Sequence, residues 1–177
     1  MTKKNDIIWL NEVDSTNKYV RRHVEELDNL SVVTSLSQSS GRGQGDHLWH
    51  SEPGKNLLFS IVLKEPQIAP SHESIISDLA ANSVVKLLEK HEIEAWIKPP
   101  NDIWVGNKKI CGILIEHSLR AGRISWSIIG IGLNVNQTSF PDDLPNPTSM
   151  AIERKGGDLK EILDEFMDIF TGSSLLK

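Results

Sequence analysis

The stretch IWVGNKKICGILIEH, residues 103–117, decides how this chain of 177 residues folds. Its two apolar runs flank Gly106-Asn107, a pair typical of a two-residue hairpin turn. A third apolar run, Arg123–Leu133, follows across a short turn at 120–122 and predicts a second hairpin. Because consecutive hairpins give antiparallel strands, these residues predict an antiparallel centre for the sheet.

Further elements extend outward from this centre. Strands are predicted at Ile7–Leu10, Val32–Leu36, Asn56–Leu63 and Ala95–Lys98, and helices at about 15–26, at Ser74–Lys90 and at Asp158–Phe170. Residues 136–150 are rich in Pro, Asp and Asn and are expected to form an irregular loop. The pattern predicts one α+β domain with a mixed, largely antiparallel sheet covered by helices.

The composition excludes several classes of protein. The chain has 38% apolar residues and no apolar run near the roughly 18 that a membrane span needs. Its single cysteine, Cys111, excludes an intrachain disulfide and a cysteine-based zinc site. A net charge of −5 disfavours general nucleic-acid binding. We therefore expect a cytoplasmic protein that binds neither a membrane nor nucleic acid.

A glycine-rich loop, SGRGQGDHLW at residues 40–49, contains an arginine and ends on a tryptophan. Since glycine has no Cβ, such a loop can bring backbone N–H groups close to an anion. Arg42 can pair bidentately with a carboxylate or phosphate. Trp49 can cover a flat ligand when the loop closes. The loop favours an acidic substrate bound beside a nucleotide.

Two polar clusters each allow a structural and a functional interpretation. The residues from Asp14 to Asn17 are typical of a helix cap, which local sequence favours, but they also offer donors and acceptors to a polar ring. Asn101 and Asp102 follow two prolines, as in an ordinary turn. In the functional interpretation, Asp102 is a magnesium ligand or an acceptor for an incoming amine. Local sequence leaves both alternatives open.

Two strands carry a further signal. Lys109 leads into an apolar strand that contains glycine, where it would lie beside an acidic substrate, while Lys108 is expected to stay solvated. Gly130 and Gly132 lie within the next strand, which indicates a bulge or a close approach. Asn134 follows them, and its amide could read an adenine edge because it is both donor and acceptor.

Together these clusters resemble the catalytic domain of biotin protein ligases (biotin–[acetyl-CoA-carboxylase] ligases) over about residues 7–170. The matching segments are 14–17, 38–43, 49–60, 100–102, 109–116 and 130–134. The resemblance implies a fold like that of class II aminoacyl-tRNA synthetases, with helices on one face of the sheet. It also implies two half-reactions: biotin and MgATP give biotinyl-5′-adenylate and pyrophosphate, and a lysine of a biotin carboxyl carrier protein then takes the biotin and releases AMP.

The resemblance also implies a role for individual residues. The implied biotin-binding residues are Ser15, Thr16, Asn17, Gln38, Gly41, Arg42, Gly43, Gln44, Lys109, Gly112 and Leu114. The implied ATP-binding residues are Arg42, Trp49, Asn101, Asp102, Lys109 and Asn134. The implied catalytic residues are Arg42, Lys109 and Asp102, and Asp102 is also the candidate ligand for Mg²⁺.

This sequence departs from the family pattern in its loop. The family commonly has Gly-Arg-Gly-Arg-Arg-Gly, or the same loop with Gln at its fourth position, where residues 41–46 read Gly-Arg-Gly-Gln-Gly-Asp. Because Gln44, Gly45 and Asp46 bring no cation, we expect the adenylate to be held less firmly. Pro99 stands where the family usually has Trp, which removes a packing surface.

The ends of the chain also differ from the longer family members. We expect a single catalytic domain over residues 1–177, without a DNA-binding module in front or a small β-barrel behind, and without repressor function. Exposed sheet edges would favour a homodimer. The alternatives are a lipoate–protein ligase, which uses the same adenylation chemistry, and a non-catalytic module that binds biotin.

Overall fold

The computed structural model describes residues 6–45 and 47–176, so Asp46 of the predicted loop lies outside the described residues. The strands are β1 (Ile7–Leu10), β2 (Val32–Ser35), β3 (Leu57–Lys64), β4 (Trp96–Lys98), β5 (Asp102–Val105), β6 (Lys108–Arg120) and β7 (Arg123–Leu133). The helices are α1 (Thr16–Arg22), α2 (Ser74–Lys90), α3 (Met150–Glu153) and α4 (Leu159–Thr171). Among the described residues, no helix is both long enough and apolar enough to cross a membrane.

The strands form one sheet in the order β1-β2-β3-β7-β6-β5-β4. Only β1 and β2 pair in parallel, and every other neighbouring pair is antiparallel. Gly106, with a φ of +56°, allows the tight turn between β5 and β6. The predicted α+β fold with a mixed, largely antiparallel sheet is confirmed.

The larger part of the core lies on the face of the sheet that α2 and α4 cover. Alternate residues of β3 point to this face, among them Leu57, Phe59 and Ile61. The Phe59 ring meets Phe166 of α4 edge-on, with ring centroids 5.1 Å apart. The side chains of α2 complete this core, because its buried residues recur at the spacing of one helix face.

One detail of the predicted fold is wrong, because helices lie on both faces of the sheet. On the other face of the sheet, Val33 of β2, Val62 of β3 and Ile128 of β7 form a second apolar cluster. Val20 of α1 and Val24 just after it cover this cluster. Because successive side chains of a strand point to opposite faces, an apolar strand in the middle of the sheet needs cover on both. The helix α1 covers the second, smaller cluster.

The predicted boundaries agree closely with the observed elements. β1, α2 and β7 have the predicted limits, and Asp158 is the N-cap of α4, where its side chain accepts from two backbone N–H groups. The short helix α3 was not predicted. It begins at Met150, the last residue of the predicted loop, and the Ser149 hydroxyl caps it by accepting from the Ile152 N–H at 3.2 Å.

Candidate active site

A cavity of about 440 Å³ opens on the face of the sheet that carries α1. Its floor includes Gly112, Gly130 and Gly132, whose missing side chains make room for the Trp49 ring and the Asn17 amide. The glycines are neighbours in the sheet, since Gly112 pairs with Gly132 and Leu114 pairs with Gly130. Of the two alternatives predicted for the glycines of β7, a bulge or a close approach, the second is observed, because a Cβ at Gly130 would meet Asn17 and one at Gly132 would meet Trp49.

Trp49 lies on this glycine floor. A Cβ at Gly112 would be 2.8 Å from the Trp49 ring, and one at Gly132 would be 2.7 Å from its Nε1. The Trp49 indole N–H is buried and has no hydrogen-bond partner among the described residues. The ring thus lines the cavity and rests on the sheet, and its role as a cover over a flat ligand stays a prediction.

The N-terminus of α1 forms a polar end of the cavity. Ser15 is buried at the N-cap, but its side chain makes no capping hydrogen bond. The backbone N–H and the hydroxyl of Thr16 lie 2.8 and 3.3 Å from Gln38 Oε1. The Ser60 and Thr16 hydroxyl oxygens lie 2.7 Å apart, within hydrogen-bond distance. Since Thr16 holds the oxygen of Gln38, the amide nitrogen of Gln38 can donate to a ligand.

Asn17 connects this polar end to a carboxylate that the sequence analysis did not single out. Its Oδ1 accepts from Ser60 at 2.6 Å, and its Nδ2 donates to the Leu114 carbonyl at 3.2 Å and to Glu116 Oε2 at 3.0 Å. Glu116 also pairs with Arg21, and its Oε1 lies 3.4 Å from Arg42 Nη1. Arg42, the predicted anion-binding cation, is therefore already paired inside the chain.

Backbone hydrogen bonds fold the glycine-rich loop back on itself beside the cavity. The Trp49 N–H donates to the Gly41 carbonyl at 3.0 Å, and the Gly43 N–H donates to the His47 carbonyl at 2.8 Å. The Gln44 side chain donates to Asn101 Oδ1 at 3.0 Å. These contacts hold Arg42, Gly43 and Gln44 where all of them line the cavity.

A β-bulge directs Lys109 into the cavity. Cys111 pairs with Ile103 and Lys109 pairs with Trp104, so Ile110 is the extra residue. Both Ile110 and Cys111 lie in the core beneath the sheet, and Lys109 returns to the cavity side. There its Nζ lies 2.9 Å from Asp102 Oδ1 and 5.5 Å from the centroid of the Trp49 ring.

The far end of the cavity is built around Asn134. Its Nδ2 donates to the Thr148 carbonyl at 2.9 Å, while its Oδ1 is buried without a partner among the described residues. The Trp104 indole N–H is also buried and unpaired within that part of the chain. The predicted irregular loop adds an apolar wall: Phe140, Leu144, Pro145 and Pro147. No sequence motif indicates a role for this wall, and only the proline content marks the segment.

Most of the predicted site residues line this one cavity. The exceptions are Gly41, which is buried beneath the loop, and Asn101, whose amide donates to the Ile113 carbonyl at 2.6 Å behind the cavity wall. Lys108 is not simply solvated as predicted, because it pairs with Glu153. Within the described residues, no group of three or more His, Cys, Asp and Glu is placed to hold a metal ion.

The model of the biotin/lipoate A/B protein ligase family matches residues 9–134, which include the polar end, the loop and both glycine strands. The chain belongs to this family. It is 39% identical over 117 residues to the bifunctional ligase/repressor BirA of Bacillus subtilis, a match that covers 64% of this chain and 36% of that protein. The BirA of Bacillus spizizenii is 37% identical over 129 residues, or 71% of this chain and 39% of that protein. The family domain described here thus spans about two fifths of these relatives.

Solved structures of similar proteins share the fold. The biotin protein ligase from Aquifex aeolicus in complex with biotin and ATP is 29% identical and superposes with a TM-score of 0.81 over 96% of this chain and 70% of that one. The biotin protein ligase from Leishmania major in complex with biotinyl-5-AMP has a TM-score of 0.79 over 95% of this chain and 74% of that one. At 22% identity, the second likeness concerns the fold alone.

Proposed function

We propose that this chain is the catalytic domain of an ATP-dependent biotin–protein ligase. The observation that carries the proposal is the order of groups along one cavity. A polar cluster lies at the level of Leu114 and Gly130, and Lys109 and Asn134 lie four or five residues further along the same strands. At about 3.3 Å per residue this separation is roughly 13–16 Å, enough for an acid with a polar head at one end and a nucleotide at the other.

The polar end suits the ureido ring of biotin. That ring has two N–H donors and one carbonyl acceptor, and Ser15, Thr16 and Gln38 offer hydroxyl and amide groups of both kinds. The Ser15 hydroxyl is not used as a helix cap, and Thr16 fixes the orientation of the Gln38 amide. The floor glycines let Trp49 and Asn17 lie against the sheet, and Leu114 supplies an apolar wall of the cavity.

The centre of the cavity suits the joining of two anions. In the proposed first step, a carboxylate oxygen of biotin attacks the α-phosphorus of ATP, the bond to the β-phosphate breaks, and pyrophosphate leaves. Lys109 and Arg42 stabilise the negative charge that collects on the phosphorus oxygens. In the second step, the amine of a carrier lysine attacks the acyl carbon and loses a proton to solvent, and AMP leaves with the bonding electrons. Holding both acids in one cavity supplies much of the rate enhancement.

Asp102 is the residue that would hold the Mg²⁺ which accompanies ATP. Mg²⁺ on a nucleotide is commonly bound by one or two carboxylates together with phosphate oxygens and water. Asp102 supplies one such carboxylate on the cavity wall, and the contact of its Oδ1 with Lys109 leaves the second oxygen for the ion. The donor set therefore fits an ion that arrives with its nucleotide, where it would reduce the charge of the phosphates.

The partner in this proposal is a biotin carboxyl carrier protein whose lysine reaches the mouth of the cavity. β1 and β4 are the edges of the sheet, and a homodimer through such an edge remains a prediction. A cytoplasmic location, expected from the composition, is likewise part of the proposal.

The test is biotin-dependent release of pyrophosphate from MgATP, with lipoate in place of biotin as a control. We expect release with biotin, and we expect Lys109→Met to lower kcat/KM by about 10²–10³-fold because it removes a charge-stabilising group. Lys86→Ala, at an exposed position of α2 on the opposite face, is the matched control and should not change the rate.

Other outcomes would refute the proposal. Release with lipoate but not with biotin would assign the chain to the lipoate branch of the family. Calorimetric binding of biotin without any release of pyrophosphate would make this domain a binding module.

A further inference from the structure

Thr148 occupies a junction beneath the far end of the cavity. The residue is fully buried, and each of its polar groups has a partner. Its backbone N–H donates to the Lys109 carbonyl at 2.9 Å, and its carbonyl accepts from Asn134 Nδ2 at 2.9 Å. Its hydroxyl donates to Glu153 Oε1 at 2.5 Å. Thr148 therefore links the strand of Lys109, the amide of Asn134 and the helix α3.

The Thr148 carbonyl fixes which end of the Asn134 amide faces the cavity. A carbonyl only accepts, so the amide must present its nitrogen to Thr148 and its oxygen to the cavity. The reverse orientation would place two oxygens against each other and leave a buried donor unpaired. A second constraint holds the backbone, because the Met150 N–H donates to the Asn134 carbonyl at 3.0 Å. Asn134 thus presents its amide oxygen, an acceptor, toward the ligand.

An acceptor at this position distinguishes two classes of purine. A 6-amino purine such as adenine has an exocyclic N–H donor that can satisfy the buried Oδ1 of Asn134. A 6-oxo purine such as hypoxanthine has a carbonyl at the same position, which would face the amide oxygen without a shared proton. Selection for the amino group therefore depends on the Asn134 amide keeping its orientation.

Glu153 and Lys108 hold Thr148 in place. The Glu153 carboxylate accepts from both the Thr148 hydroxyl and the Lys108 ammonium, and its side chain is 18% exposed. The helix α3 that carries Glu153 is capped by Ser149, next to Thr148 in the chain. Neither charged residue lines the cavity, and Thr148 links them to the site, because its hydroxyl contacts Glu153 and its carbonyl contacts the Asn134 amide.

We propose that Glu153, together with Lys108, is a positioning residue that fixes the Asn134 amide through Thr148 and so sets a preference for 6-amino over 6-oxo purine nucleotides. This inference rests on the proposed function, because it concerns the nucleotide end of that same site. It adds a selection mechanism and names the residues outside the cavity that maintain it.

The test compares ATP with inosine triphosphate, which carries the 6-oxo base. Thr148→Val removes the hydroxyl that Glu153 holds, and Glu153→Ala removes its partner. For each, we expect KM for ATP to rise about five- to tenfold, the effect of one weakened hydrogen bond, while kcat changes less than twofold. KM for inosine triphosphate should hardly change, so the preference for ATP falls. Thr148→Ser keeps the hydroxyl and should restore the preference.

Binding of both nucleotides is also followed by tryptophan fluorescence, which needs no turnover and reports on Trp49 and Trp104 in the cavity. If the wild type prefers ATP to inosine triphosphate and the variants keep this preference in full, this inference is overturned and the proposed function stays intact. An equal rise in KM for both nucleotides would mean that Thr148 and Glu153 are merely structural. Wild-type protein that binds neither nucleotide would overturn both proposals. Thr148→Val, which leaves the pair of Glu153 and Lys108 in place, covers the case in which Glu153→Ala does not fold.

Discussion

Substitution of Gly130 by alanine tests the structure of the polar end directly. A Cβ at Gly130 would lie 2.2 Å from Asn17 Oδ1, 2.9 Å from its Cγ and 3.0 Å from its Nδ2. These separations are too short for a methyl group, and Gly130 lies on a strand hydrogen-bonded on both sides, so the backbone cannot retreat. The Asn17 side chain must therefore leave its position.

The cost follows from the hydrogen bonds that Asn17 makes. Its amide has three: one from Ser60, one to Leu114 and one to Glu116. At about 1 kcal/mol each, their loss would destabilise the domain by about 3 kcal/mol. Alanine is more favourable than glycine within a strand, which offsets roughly 0.5–1 kcal/mol of this loss. We expect Gly130→Ala to lower the free energy of unfolding by about 2–3 kcal/mol.

Urea unfolding at equilibrium, in a double-mutant cycle with Asn17→Ala, isolates the contact. In the Asn17→Ala background the clash is gone, so Gly130→Ala should cost less than about 1 kcal/mol, and the two substitutions should couple by about 2 kcal/mol. If Gly130→Ala costs as much in that background as in the wild type, the reasoning from the Asn17 contact is wrong.

Three further outcomes are expected. Glu116→Gln should release Arg42 from its ion pair, while the new side chain still accepts from the Asn17 amide. Calorimetry should then show that biotin binds more tightly by a factor of about 3–10 and that the neutral biotin amide binds as before. An equal change for both ligands would contradict the idea that Glu116 competes with the biotin carboxylate for Arg42. Hydrogen bonds from Arg22 hold the pKa of Asp14 well below its usual range, so this pair stabilises the fold at neutral pH and the contribution is lost as pH falls below the unfolded pKa of about 4. The urea midpoint of Asp14→Asn should thus lie below that of the wild type at pH 7 and converge with it in acid, and a constant gap would contradict this. Burial raises the pKa of the Cys111 thiol, so iodoacetamide should modify the protein in urea and not in buffer, where ready labelling would be the contrary result.

The fold could be predicted from local signals because those signals are strong where strands turn. Gly106-Asn107 fixes the register of β5 and β6, and the limits of β7 follow from its apolar run. The position of α1 could not be predicted in this way. Its cluster of cap residues marks where the helix begins, but which face it covers depends on Val33 and Val62, which belong to distant strands.

The site was predictable as a set of side chains and not as a network. The polar residues near α1 and the loop were singled out because their types suit an acid and a nucleotide. Glu116 and Thr148 were missed, since a carboxylate in a strand and a threonine in a loop have no local pattern that indicates their partners. Their importance comes from residues far along the chain: Arg42 for Glu116, and Lys109 and Asn134 for Thr148.

The bulge at Ile110 shows why counting along a strand is not sufficient. In a regular strand Lys109 would share a face with Cys111, which lies in the core, and a lysine there would be buried among apolar side chains. Here the two consecutive residues Ile110 and Cys111 both point into that core, because Ile110 is the extra residue of the bulge. The alternation of the strand is thereby shifted by one residue, and Lys109 lies on the cavity side. The cation opposite Asp102 is therefore positioned by an irregularity of the backbone. Because bulges re-aim side chains beside active sites in many sheets, we interpret this one as a functional feature of the strand.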